Sequence, residues 1–421
     1  MTMETRYQTP QLKTQIPGPK AQAILAKDSL FVSPSYTRDF PLVVDRGRGC
    51  WVEDVDGNTF LDMASGIAVC ATGHCHPAIL SAIKEQSEKL IHMSGTDFYY
   101  PAQSELAMRL SQRLPGAGGG KVFFSNSGAE SIECAFKLAR HRTGRPSMIS
   151  FFGAFHGRTM GALSLTASKT VHKAGFAPLV PCIHHATYGD LDSVEKLLKH
   201  AIPENELAGI LVEAIQGEGG YRPAPPGFLQ GLRDICDRTG ALLILDEVQS
   251  GMGRTGRFFA FEEDGIFPDI VTMAKGIASG LPLGACIAQP GIMEWPPGSH
   301  ASTFGGNPVA CAASLATIDL LDEGLMANAA EMGRHLRSLL DEACLGQKGV
   351  VDVRGRGLMQ AIEVDTPDQR NDIVMRCFEK GLVILGCGPK SIRFCPALVV
   401  DHAEIECAVR IFAQALSEAM R

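Results

Sequence analysis

Five apolar runs of this chain each close on residues with chemical potential. KVFFSN runs into Ser127-Gly128-Ala129 and a helical pattern. SMISFFG is followed by Phe155, His156 and Arg158, and AGILVEAI by QGEGG with Glu218. ALLIL runs into Asp246, Val248 and Gln249, and DIVTMA into Lys275. A helix N-terminus offers free backbone N–H groups that bind phosphate. An aspartate at the base of a pocket ion-pairs with a protonated ring nitrogen. A lysine in a partly desolvated pocket loses its proton and condenses with an aldehyde. Asp246 in particular follows a segment that reads as fully buried, so it needs a positive partner.

The elements that must hold these groups follow from the pattern. From about residue 120 to 290, short apolar runs without alternation alternate with longer helical stretches. That texture predicts an α/β domain with a mostly parallel sheet covered on both faces, whose ligands sit at the carboxyl ends of the strands. All five ends then lie along one rim. Predicted strands include KVFFSN, SMISFFG, AGILVEAI, ALLILDE, DIVTMAK and LGACIA. Beyond about residue 325 the texture becomes α+β, with strands in GLMQAIEV and SIRFCPALVV and a closing helix in EIECAVRIFAQALSEAM. The expected division is an N-terminal segment (1–64) that packs with the small domain, a large domain (65–325) and a small C-terminal domain (326–421).

Composition narrows the function classes. The chain has 421 residues, 45% of them apolar and 20% charged, with a net charge of −7 and no basic run. This argues against nucleic acid or an anionic membrane as partner. No apolar stretch approaches the length that spans a bilayer, and the polar, Pro-containing N-terminus has no apolar core of a secretory signal. Thirteen cysteines without a C-x-x-C pair fit reduced thiols in a cytoplasmic protein. CATGHCHP reads as a turn; its spacing matches no common zinc pattern, and no metal is expected. GAGGGKV (Gly116 to Val122) lacks the spacing of a P-loop and GEGG that of a dinucleotide fingerprint.

Phosphate, ring nitrogen and aldehyde together describe pyridoxal 5′-phosphate, a cofactor whose protonated ring acts as an electron sink. The chain resembles the class III, or ω-amino-acid, aminotransferases of the fold type I pyridoxal-phosphate architecture. The resemblance covers nearly the whole chain. It is carried by VSPSYTRDFPLVVDRGRG, GNTFLDMASGIAVCATGHCHP, FFSNSGAES, FHGRTMGALSLT, QGEGG, LILDEVQSGMGRTG, TMAKGIASGLPLG and STFGGNPVACAA.

The resemblance implies roles residue by residue. Lys275 is the expected Schiff-base lysine and proton shuttle, and Asp246 the partner of the ring nitrogen. Phe155 and Val248 cover the two ring faces, His156 supports the ring, and Gln249 reaches its phenolic oxygen. Ser127, Gly128 and Ala129 cradle the phosphate. Thr303, in STFGGNP, completes the phosphate site of a neighbouring subunit, which implies a homodimer with shared active sites, paired into tetramers as an alternative. Arg158 clasps a substrate carboxylate. Glu218 neutralises Arg393, in SIRFCP, while an ω-amine is bound, and releases it for the α-carboxylate of glutamate.

Ile67, in SGIAV, stands where ornithine-specific members carry a Tyr, which disfavours free ornithine. It does not separate 4-aminobutyrate from acetylornithine. The long lead before VSPSYTRDFP resembles the 4-aminobutyrate branch. The expected reaction moves the amino group of 4-aminobutyrate to 2-oxoglutarate. A racemase or epimerase on the same scaffold, or an (acetyl)ornithine aminotransferase, is the alternative.

Overall fold

The structure, a computed structural model, describes residues 7–116 and 120–420. Residues 1–6 of the N-terminal segment, 117–119 of the GAGGGKV turn and the terminal residue 421 lie outside the described residues.

A seven-stranded sheet forms the centre of the molecule. Its order is Lys121–Ser125, Gly284–Ala288, Ile270–Met273, Leu242–Asp246, Leu207–Glu213, Ser147–Phe151 and Ile183–Ala186. The last five strands in that order pair in parallel. The inner four of these are largely apolar on both faces, because helices such as Gly128–Thr143 and Phe228–Thr239 cover the sheet from outside. This is the fold type I architecture, an α/β sheet with its ligand rim at the strand ends.

Two features depart from the expectation. Gly284–Ala288 runs antiparallel to both of its neighbours. A short apolar run carries no record of its direction, and only the connection decides it. The consequence is local: this strand begins at the rim where the others end, so the loop from Lys275 to Leu283 stays beside the site. The second departure is Ile183–Ala186, the sheet's outer strand, which contains two histidines and is only partly buried. An edge strand has no need of the continuous apolar run that marks its neighbours.

A second sheet, entirely antiparallel, orders Val350–Arg356, Met359–Val364, Ser391–Phe394 and Leu385–Cys387. Helices Met326–Cys344, Pro367–Glu379 and His402–Ala419 pack with it. The expected strand over SIRFCPALVV ends at Phe394. Pro396 has no N–H to donate, and the N–H groups of Cys395 and Leu398 bond instead to the carbonyls of Met63 and Ala71. The N-terminal hairpin Trp51–Asp54 and Thr59–Asp62 pairs in parallel with Leu382–Val383, and Trp51 Nε1 donates to Glu404 at 2.8 Å. We propose the boundaries at 64/65 and 325/326 on this basis. Ten of the cysteines are buried, and all thirteen are free thiols. Among the described residues no helix is long and apolar enough to cross a membrane.

Candidate active site

The carboxyl ends of the parallel strands open into a cavity of about 370 Å³. Its walls include Ser127, Gly128, Ala129, Phe155, His156, Glu218, Asp246, Val248, Gln249 and Lys275. These residues come from five separate strand ends, which only the sheet brings together.

The helix Gly128–Thr143 starts at the cavity wall. Ser127 caps it, its Oγ accepting from the Glu130 N–H at 3.2 Å. The Glu130 carboxylate turns back to the Asn126 N–H at 2.7 Å, which leaves the N–H groups of Gly128 and Ala129 without such a partner. Gly128 is required by closeness: a Cβ there would stand 2.8 Å from Val248 Cγ1.

Asp246 is 5% exposed. Its Oδ2 lies 2.7 Å from His156 Nδ1, and its Oδ1 accepts the Val248 N–H at 2.9 Å. His156 Nε2 faces Ser150 Oγ at 3.2 Å. Asp246 is thereby aimed and partnered within the protein. Glu247, its neighbour in sequence, turns away into the core. It accepts from Ser250 Oγ, Ala260 N–H and Phe261 N–H at 2.6, 3.1 and 3.0 Å, a structural contact rather than a wall of the cavity. Gln249 Oε1 accepts from the Tyr221 hydroxyl at 2.7 Å.

Lys275 sits just past the strand Ile270–Met273, in left-handed backbone with φ of 45°. A non-glycine residue there is strained and held by its surroundings. Burial lowers its ammonium pKa from the ordinary lysine value, against the pull of Asp246. That is the direction an amine nucleophile needs.

Glu218 also lines the cavity, and its Oε1 is 2.6 Å from Arg393 Nη1. Burial pushes the Glu218 carboxyl up, but the charge and hydrogen bond of Arg393, with the charges of Lys169 and Lys275, together outweigh it and leave the pKa below its usual value. Arg393 itself is 5% exposed and stands behind Glu218 rather than on the wall, with its Nε lacking a partner.

The remaining candidates lie outside the cavity wall. Arg158 is exposed and close enough to add to the lowering that burial imposes on the pKa of His172, whose ring packs 5.4 Å from that of Phe155. Thr303 is exposed, next to Ser302, whose Oγ accepts from Asn126 Nδ2 at 3.2 Å. Ile67 is 44% exposed and belongs to a run of left-handed residues, Ser65 to Ala68. That turn, pinned by Asp62 Oδ1 accepting from the N–H groups of Ala64 and Ser65, delivers Val69 to the wall instead. His74, in the CATGHCHP turn, pairs with Asp62 at 2.9 Å.

Sequence reasoning missed Asn126, Glu213 and the Gly280–Leu283 segment of the wall. Glu213 had a signal, a carboxyl at the end of the same apolar run that leads to QGEGG. The Gly280–Leu283 segment stood inside the TMAKGIASGLPLG motif but had no signal in the apolar pattern, because it reaches the rim only through the reversed direction of the strand that follows.

The aminotransferase class-III family model matches residues 32–416. The chain belongs to the class-III aminotransferases. It is 46% identical over 384 residues to the acetylornithine aminotransferase of Methanopyrus kandleri, covering 91% of this chain and 96% of that protein. It is 40% identical over 402 residues to the acetylornithine aminotransferase of Caldanaerobacter subterraneus, covering 94% and 99%. Among solved structures, the ornithine aminotransferase of Toxoplasma gondii, described with partial occupancy of PLP at its active site, superposes with a TM-score of 0.88 at 30% identity, covering 98% of this chain and 97% of that one. The cofactor of this class-III aminotransferase is pyridoxal 5′-phosphate. The site fits it: a helix start with free N–H groups for a phosphate, a partnered aspartate, a lysine of lowered pKa, and a buried Glu213 Oε2 left without a partner.

Proposed function

We propose that this class-III aminotransferase moves the terminal amino group of acetylornithine to 2-oxoglutarate, giving the corresponding aldehyde and glutamate. The observation that carries this reading is the set of relatives over 90% or more of the chain, which bear the name acetylornithine aminotransferase at up to 46% identity. They favour acetylornithine over the 4-aminobutyrate expected from the N-terminal lead. The lead's length is a weak guide, because it touches no wall of the cavity.

Bound pyridoxal phosphate supplies the carbonyl that takes up the amino group and the ring that draws electrons from the carbon losing its proton. The chain's residues do the rest. Lys275, its proton loosened by burial, takes the proton from the donor carbon and returns it. Asp246, held by His156 and the Val248 N–H, would supply the negative charge that pairs with the protonated ring nitrogen. Gly128 and Ala129 hold the phosphate. Arg158, outside the wall and free of ion pairs among the described residues, takes the substrate carboxylate remote from the reacting amine. Glu218 masks Arg393 for the first substrate and uncovers it for glutamate.

A half-reaction spectrum tests the reading. The purified enzyme is mixed separately with acetylornithine, ornithine and 4-aminobutyrate, with no keto acid. Fastest bleaching of the visible cofactor band with acetylornithine, reversed by 2-oxoglutarate, is expected. Preference for 4-aminobutyrate would return the assignment to that branch. A band that persists while an L-amino acid loses optical activity would make the enzyme a racemase.

A further inference from the structure

Two carboxyl groups end adjacent strands. Glu213 is the register partner of Asp246 in the parallel ladder, so both side chains leave the sheet on one face at the same rim. They are 6% and 5% exposed, and both line the cavity. Two buried carboxylates side by side do not both ionise cheaply. The partners decide which one carries the charge. Asp246 has His156 on one oxygen and the Val248 N–H on the other. Among the described residues Glu213 has only the Gly217 N–H, at 3.0 Å on Oε1, and its Oε2 is sealed from solvent with no partner. Glu247, equally buried, has three donors on its carboxylate and stands outside the cavity wall, yet burial pushes its carboxyl up to about 7 as well.

We propose that Glu213 is a proton-holding, positioning residue of the site, a neutral carboxylic acid that leaves Asp246 as the single negative charge at the end of the two strands. The groups that face it are His156 from the loop after Ser147–Phe151, Asp246 from its neighbouring strand and Lys275 from the end of the next. Tyr188 adds a hydroxyl that donates to the Glu213 backbone carbonyl at 2.9 Å. Burial pushes the Glu213 carboxyl up to about 7, with Asp246 adding to the rise and His156 opposing it. An ionised Glu213 would raise the pKa of Lys275 and tighten its hold on the proton; a neutral one leaves the lysine free to act. This consequence rests on the aminotransferase reading, whereas the protonation of Glu213 does not.

The sign of the linkage follows from the raised value. The folded state holds this proton more tightly than the unfolded state. The stability contributed by Glu213 is therefore full below the ordinary carboxylate range and is lost as the pH rises to about 7. Glu213→Gln mimics the neutral acid at every pH.

The test uses the purified enzyme and the infrared absorption of protonated carboxyl groups. Glu213 and Glu247 both contribute to a band that fades as the pH rises through about 7, so the expected band is reduced in Glu213→Gln and lost when both are replaced by Gln. The melting temperature of Glu213→Gln relative to the wild type should rise between pH 5 and pH 8, and its pH–rate profile should lose the limb near 7. Should Glu213→Gln not fold, Glu247→Gln removes the competing buried carboxyl and leaves the Glu213 band alone. An unchanged band in Glu213→Gln, or no such band in Glu247→Gln, overturns the proposal. Loss of the visible cofactor band would count against the cofactor site instead, so the two failures are distinct.

Discussion

At the scale of single residues, the Glu218–Arg393 pair is where substrate alternation is proposed to be decided. Arg393 is almost fully buried and its nearest counter-charge is 2.6 Å away. Removing one partner of a buried pair leaves an uncompensated charge. In Glu218→Ala that charge would face a substrate whose reacting carbon carries no carboxylate. We expect the half-reaction with the terminal amine to slow about ten- to hundredfold, roughly 1.4–3 kcal/mol. The half-reaction with glutamate, which supplies its own carboxylate, should change by less than about threefold, under about 0.7 kcal/mol. Single-turnover rates for the two halves decide it, and equal losses would remove the switch. Much of this was legible in sequence, because QGEGG and SIRFCP each carry the charge. Their approach was legible only through the family resemblance and from no local pattern, since 175 residues separate them.

At the scale of elements, the start of the helix Gly128–Thr143 is the proposed phosphate seat. The strand before it and the Ser127-Gly128-Ala129 that opens it were visible as local patterns. The tight approach to Val248 was not, because it depends on how that helix docks beside a different strand end. Gly128→Ala would place a Cβ 2.8 Å from Val248 Cγ1. Overpacking of this kind costs about 1–3 kcal/mol. We expect the Kd for pyridoxal phosphate to rise about tenfold or more, measured by fluorescence titration of the cofactor-free enzyme. An unchanged Kd would place the phosphate elsewhere. Elements also account for the departures noted above. The edge strand Ile183–Ala186 escaped because exposure relaxes its composition, and SIRFCPALVV stopped early because Pro396 cannot donate.

At the scale of the whole molecule, Thr303 stands outside its own chain's cavity wall. Tyr99, 99% exposed, lines one groove with Ser302, and Phe304 beside Thr303 is 63% exposed. Large ordered apolar side chains in the open mark a contact surface. We propose that a second copy covers it and that each copy lends Thr303 to the other's site. Lys275→Ala and Thr303→Arg, each inactive alone, should then complement after mixed refolding. Statistical pairing makes about half of the dimers mixed, with one intact site of two, so about a quarter of the wild-type activity should return. No recovery would mean that each site is complete within one chain.

The sequence alone determined which residues could do chemistry and that they end successive strands, because apolar runs and the polar groups that close them are local features. It also determined the cofactor class, since a lysine, an aspartate and a helix start demand a particular set of partners. Only the tertiary structure decided which of those groups share a wall. The reversed direction of Gly284–Ala288 brought the segment that precedes it, Gly280–Leu283, to the rim. Lateral register set Glu213 beside Asp246. Both are outcomes of packing between segments far apart in the chain, where the energy lies in contacts that no local pattern records.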